Sequence, residues 1–143
     1  MRGIFISFLF LQFLFGCNQT DRTDNTTASE NDADAARNFI QSALEGEYKK
    51  AETFILPDSI NNQYLDALER NYKDRMNADD KTGYRGASIN IHSIKELNDS
   101  TSIIHYSNSY KNQRDSIKAV RMNNKWLVDL KYSFPSITNP SNE

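Results

Sequence analysis

At Ala87 the apolar residues of this chain change period, and few folds accommodate the change. Before it, large apolar side chains recur every three or four positions; after it they alternate. The first spacing puts a stripe along one face of a helix and the second lines one face of a strand, so helices come first and a sheet follows. The expected class is α+β, with three N-terminal helices packed on a curved four-stranded antiparallel meander.

Ala36, Phe39, Ile40, Ala43 and Leu44 mark the first helix, with Glu30, Asp32 and Asp34 near its start, where carboxylates complement the helix dipole. Gly46 is its natural stop. A second helix is predicted from Glu47 to Phe54, burying Tyr48, Ala51 and Phe54 or Ile55, and Leu56-Pro57 ends it. Asp58 or Ser59 can cap a third, whose stripe is Tyr64, Leu65, Leu68, Tyr72 and Met76. All three stripes read as core rather than as a cofactor site. From Asn77 to Gly86 the pattern gives way to an expected polar loop. Counted from Asn77, its third residue is Asp79, but the fifth is Lys81, the sixth Thr82 and the twelfth Ser88, so the ligands of a calcium loop are missing.

Strand-like runs occupy about 87–97, 101–111, 115–122 and 125–134, divided by Asn98-Asp99-Ser100, Asn112-Gln113-Arg114 and Asn123-Asn124. Two asparagines can take the positive-φ positions of a tight hairpin. That turn pairs Met122 with Lys125, Arg121 with Trp126, Ala119 with Val128, Lys118 with Asp129 and Ile117 with Leu130. Ile117, Ala119, Arg121, Trp126, Val128, Leu130, Tyr132 and Phe134 then share the core face. Pairing Lys111 with Ser116 adds Ile104, Tyr106, Asn108 and Tyr110, and a tight Asn98-Asp99 turn adds Ile89 and Ile91. Tyr106, Asn108, Tyr110, Arg121 and Trp126 are the candidate ligand-binding residues, since they bring aromatic area and convergent donors to an otherwise apolar face. The alternative is that Arg121 stacks on Trp126 at the sheet edge while the tyrosine hydroxyls reach solvent. His92 and His105 are expected to face each other on the outer side, without the third ligand a metal site needs. No metal ligands, cofactor or catalytic residues are assigned.

The first residues carry an address. Ile4 to Phe15 is apolar apart from Ser7 and Gln12, behind Arg2, and closes on Leu14-Phe15-Gly16-Cys17, with the only cysteine of the chain. Twelve residues are too few to cross a bilayer, which takes about 20. No alanine precedes Ala28, so the small-residue pattern of an ordinary cleavage site is missing. Leu14-Phe15-Gly16-Cys17 resembles the lipobox of bacterial lipoproteins, which implies a signal peptide over 1–16, cleavage before Cys17 and palmitate-type acylation of Cys17. Two or more acyl chains hold a protein stably on a membrane, where one holds only marginally. Residues 17–34 are then an acidic tether, with five acids against one arginine after Cys17 and no large apolar residue. The domain is expected over 35–134, with a tail at 135–143. Residues 35–143 hold 15 Lys and Arg against 14 Asp and Glu, a near-neutral balance that argues against nucleic acid as partner.

Ala36-x-x-Phe39-x-x-x-Ala43-Leu44-x-Gly46-x-Tyr48-x-x-Ala51, with Asn124-Lys125-Trp126-Leu127-Val128-Asp129, resembles small bacterial lipoproteins of the cystatin-like, nuclear transport factor 2-like superfamily. The resemblance spans about residues 35–132. It implies a cone-shaped fold with a pocket between helices and concave sheet, and a place in the cell envelope, on the outer membrane. It implies no activity, because the superfamily hosts enzymes, binding modules and assembly domains. Isomerases of that superfamily place acids inside the pocket, whereas Asp129 falls on the outer face opposite Lys118. A nonenzymatic small-ligand-binding module is therefore expected. The alternative is an interaction module for another envelope protein or anionic headgroups, since Lys111 to Lys131 holds six basic residues against Asp115 and Asp129.

Overall fold

The computed structural model describes residues 29–134. The expected signal peptide, Cys17 and the tail at 135–143 lie outside the described residues. Four helices, α1 (Asp32–Glu45), α2 (Tyr48–Glu52), α3 (Ser59–Arg70) and α4 (Ala78–Arg85), precede four strands. These are β1 (Ile89–Asn98), β2 (Thr101–Asn108), β3 (Arg114–Met122) and β4 (Lys125–Asp129), in an antiparallel sheet ordered β1-β2-β3-β4. The helices-then-meander order is as the change of period predicts.

Local chemistry sets the helix ends. The Asn31 side chain accepts from the Asp34 amide, and Asp32 and Asp34 fill the first turn of α1. Gly46 ends it at φ 80°, its amide donating to Ala43 and that of Glu47 to Ser42. A Cβ at position 46 would stand 2.6 Å from the Tyr72 ring, so glycine is needed for space as well as for φ. Asp58 caps α3, accepting from the amides of Ile60 and Asn61. A π-helical turn, Asn71–Arg75, carries α3 onward.

Two expected boundaries move. Ser29 forms an isolated antiparallel bridge with Trp126 and is buried, so the fold starts within the stretch expected to be tether. The expected loop at Asn77–Gly86 is mostly α4. Its polar residues are terminus residues: Asn77 caps by accepting from the Asp80 amide, Asp79 and Asp80 occupy the first turn, and Arg85 the last. Gly83 sits inside this helix because a side chain there would overlap the Tyr110 ring.

The last hairpin has the expected register. Asn123 and Asn124 take φ 51° and 62°, and Met122↔Lys125, Arg121↔Trp126, Ala119↔Val128 and Lys118↔Asp129 all pair. Ile117 and Leu130 do not pair, because β4 stops at Asp129 rather than running to 134. The Leu130 amide donates instead to Oδ1 of the fully buried Asn61 at 2.7 Å, and the chain turns away. Tyr132 and Phe134 therefore leave the sheet and are both exposed. Between β2 and β3 the Lys111–Ser116 pairing does not form; Ile104 pairs with Ile117 and Tyr106 with Asp115. The shift is by an even number of residues, so Ile104 and Tyr106 keep the core face.

In β1 the first part pairs as expected, Ile89 with Asn108 and Ile91 with Tyr106. A bulge then takes up His92, and His105 pairs with Ser93. The two histidines do not face each other. His92 Nε2 lies 2.9 Å from the Ser107 hydroxyl, and no metal-holding cluster occurs among the described residues. The core joins Phe39 and Ile40 of α1 and Tyr64 and Leu65 of α3 to Ile104, Ile117, Ala119, Val128 and Leu130. No helix among the described residues is long and apolar enough to cross a membrane.

Candidate functional site

The helices do not fill the sheet face completely. A cleft of ≈ 270 Å³ remains between them, floored by Tyr106 of β2, by Asp115 and Ile117 of β3, and by Leu130. Phe39, Ile40, Ala43 and Leu44 of α1 form one wall. Tyr48 of α2, Leu68 of α3 and Asn71, Tyr72 and Met76 around the π-helical turn form a second. Tyr84 of α4 and the Ser133-Phe134 turn close the sides. Pockets for drug-sized ligands run from about 300 to 1,000 Å³, so this space suits a small molecule.

The lining is apolar with hydroxyls set into it. Tyr48 and Tyr72 meet edge to face at 5.8 Å, and the Tyr72 hydroxyl donates to the Glu45 carbonyl at 3.5 Å. Burial, reinforced by Tyr72 and Glu69, pushes the Tyr48 phenol up to about 12. Tyr106 is raised further above the ordinary phenol range, first by burial and then by the Asp115 carboxylate, to which its hydroxyl donates at 3.4 Å. Both phenols stay protonated at neutral pH, and Tyr106 acts as a donor. Asp115 also accepts from the Ser116 amide at 2.7 Å.

Of the five candidate residues, only Tyr106 lines this cleft. Asn108 closes the end of β2, its Oδ1 accepting from the Lys111 amide at 3.0 Å, and it borders a separate polar depression. Tyr110 packs edge to face on Tyr84 at 5.1 Å, donates to Asp80 at 2.8 Å and carries the Lys111 ammonium 4.7 Å from its ring centre. It works as a clasp that holds α4 to the sheet. Arg121 and Trp126 sit at the other end of β3, six residues from Asp115, or about 20 Å along an extended strand. Trp126 is half-buried against the core and borders a polar depression with Ser102, while Arg121 is exposed. No cation on the Trp126 ring occurs among the described residues, so the alternative, Arg121 stacked on Trp126, is not formed either. The five residues do not form one site: Tyr110 lies in the turn after β2, and Arg121 and Trp126 pair at the far end of the β3 ladder from Tyr106.

Asp115, Tyr48, Tyr72 and Tyr84 were the residues missed. Asp115 was legible from alternation, being two residues from Ile117 and four from Ala119 on the same face. Tyr48 and Tyr72 belonged to stripes read wholly as core, and Tyr84 to the expected loop.

No protein-family model matches this chain, and neither does any curated protein or solved structure compared with it. What the cleft can bind rests on its own side chains.

Proposed function

We propose that this chain is a bacterial envelope lipoprotein, anchored through Cys17 in the outer membrane, whose domain binds a small, largely apolar ligand without chemical turnover. The helix-then-meander order supports the cystatin-like, nuclear transport factor 2-like reading, in which a pocket forms between helices and sheet. The cleft bounded by Phe39, Leu44, Tyr48, Tyr72, Tyr106 and Ile117 carries the ligand reading. Its chemistry suits binding: apolar walls supply affinity, and tyrosine hydroxyls held protonated orient the ligand by hydrogen bonds. Proton transfer is better served by two titratable groups of divergent pKa, whereas this lining offers one carboxylate, Asp115, beside Tyr48 and Tyr106, whose phenols are raised still further from the working range.

Thermal denaturation of the full chain against small-molecule fractions of an envelope extract tests the reading. A ligand at a hundred times its Kd adds about 2.7 kcal/mol to the native state, an easily measured rise in Tm. Ala43→Phe, which fills the cleft from α1, should melt cooperatively yet lose that rise. A wild-type protein that no fraction stabilises refutes the proposal.

A further inference from the structure

We propose that the cleft selects a small organic cation, an ammonium or quaternary ammonium group on an apolar body, with Asp115 as its counter-charge. The inference rests on the cleft being a ligand site. Four tyrosine rings, Tyr48, Tyr72, Tyr84 and Tyr106, border the same ≈ 270 Å³. The face of an aromatic ring is electron-rich and attracts a cation within about 6 Å of its centre. Two of these rings already hold one: Lys81 Nζ lies 5.3 Å from the centre of Tyr72, and Lys111 Nζ lies 5.8 Å from that of Tyr84. Among the described residues no such cation stands on Tyr48 or Tyr106.

Asp115 gives the cleft its sign. It shares a face of β3 with Ile117 and Ala119 and pairs directly with Tyr106. Its carboxylate accepts from the Tyr106 hydroxyl and the Ser116 amide, which leaves acceptor capacity, since an ionised carboxylate offers about four lone-pair sites. Among the described residues no lysine, arginine or histidine forms an ion pair with it, and none lines the cleft. The nearest bases are otherwise disposed. Lys111 and Arg114 border the adjoining polar depression that also touches Asp115, Tyr106 and Tyr84, but neither lines the cleft; Lys111 is held by Asp80 at 2.9 Å, and Arg114 forms no ion pair with Asp115 among the described residues. An anion would meet a carboxylate and π faces; a neutral ligand would leave both without their complement.

Benzyltrimethylammonium, its neutral isostere neopentylbenzene and the anionic benzylsulfonate are titrated into the full chain, with binding mapped by amide and methyl NMR shifts. The cation should perturb Tyr106, Ile117 and Leu44 with at least tenfold higher affinity than the neutral compound, and the anion should leave them unmoved. Asp115→Asn, at an exposed position that tolerates the change, should lower cation affinity about tenfold and leave the neutral compound's affinity unchanged. Equal affinity for cation and neutral isostere, or no effect of Asp115→Asn, overturns the charge selection while leaving the small-ligand reading standing. Cleft signals unmoved by either probe overturn both.

Discussion

Asn61→Ala should be among the most damaging single substitutions in this domain, although it deletes only a side-chain amide. Asn61 is fully buried at the third position after the α3 cap, and its two polar atoms look in different directions. Its Nδ2 donates to Asp58 Oδ2 at 2.7 Å, and its Oδ1 accepts from the Leu130 amide at 2.7 Å. The first bond reaches a partly exposed carboxylate, and losing it costs about 1 kcal/mol; losing the second strands a buried N–H, for a further ~2 kcal/mol. The total, about 3 kcal/mol, is a large fraction of the roughly 5 to 15 kcal/mol that holds a domain folded, and lowers Tm by more than about 10 °C. Urea denaturation of wild type, Asn61→Ala and Asn61→Asp gives the comparison. The aspartate keeps the acceptor for Leu130 but loses the donor and sets a second, buried carboxylate beside Asp58, so it should keep the Leu130 amide protected from exchange while costing at least as much stability as alanine. A cost below about 1 kcal/mol for Asn61→Ala, with Leu130 still protected, would refute the claim that this amide ends β4.

Asp58 makes the domain acid-sensitive in a defined window. The hydrogen bond from Lys131, then that from the Asn61 amide, lowers its carboxyl from 3.8 to about 2, so its contribution is complete above about pH 4 and lost as pH falls through 2. With the side chain 41% exposed, screening leaves at most about 1 kcal/mol, and Asp58→Asn should flatten the fall in stability between pH 4 and 2 measured by urea midpoints. At the other end of the chain, Cys17→Ser should leave an uncleaved or soluble precursor on membrane fractionation; a variant that still labels with palmitate and sediments with membranes removes the anchor assignment.

The order of elements was readable because helix and strand periods differ, and the last hairpin because Asn123 and Asn124 tolerate φ 51° and 62°. Where tertiary partners decide, the sequence pattern is silent. Alternation alone runs β4 on to residue 134; only the Asn61 amide, 69 residues away, draws Leu130 off the ladder. Polar composition made 77–86 look like a loop, although the same asparagine and aspartates are what a short helix uses at its start. Alternation places Tyr106 on the core face, but it cannot tell how far along the sheet the other candidates lie, and Tyr110 has left β2 for the turn after it. Tyr106 reaches the cleft, whereas Trp126 lies beside the first residue of α1, in a separate depression with Asp32, and Arg121 is exposed.

The bridge between Ser29 and Trp126 has a bearing on orientation. The chain enters the domain at the β3–β4 hairpin, whereas Asp115, with Tyr106 paired to it on β2, stands near the opposite end of β3. The proposed anchor at Cys17 would be twelve residue steps from Ser29, a separation of at most about 40 Å. Pulled toward a bilayer from its hairpin end, the domain would turn its carboxylate end toward the aqueous space, and a cation would reach Asp115 from the solvent rather than from the lipid.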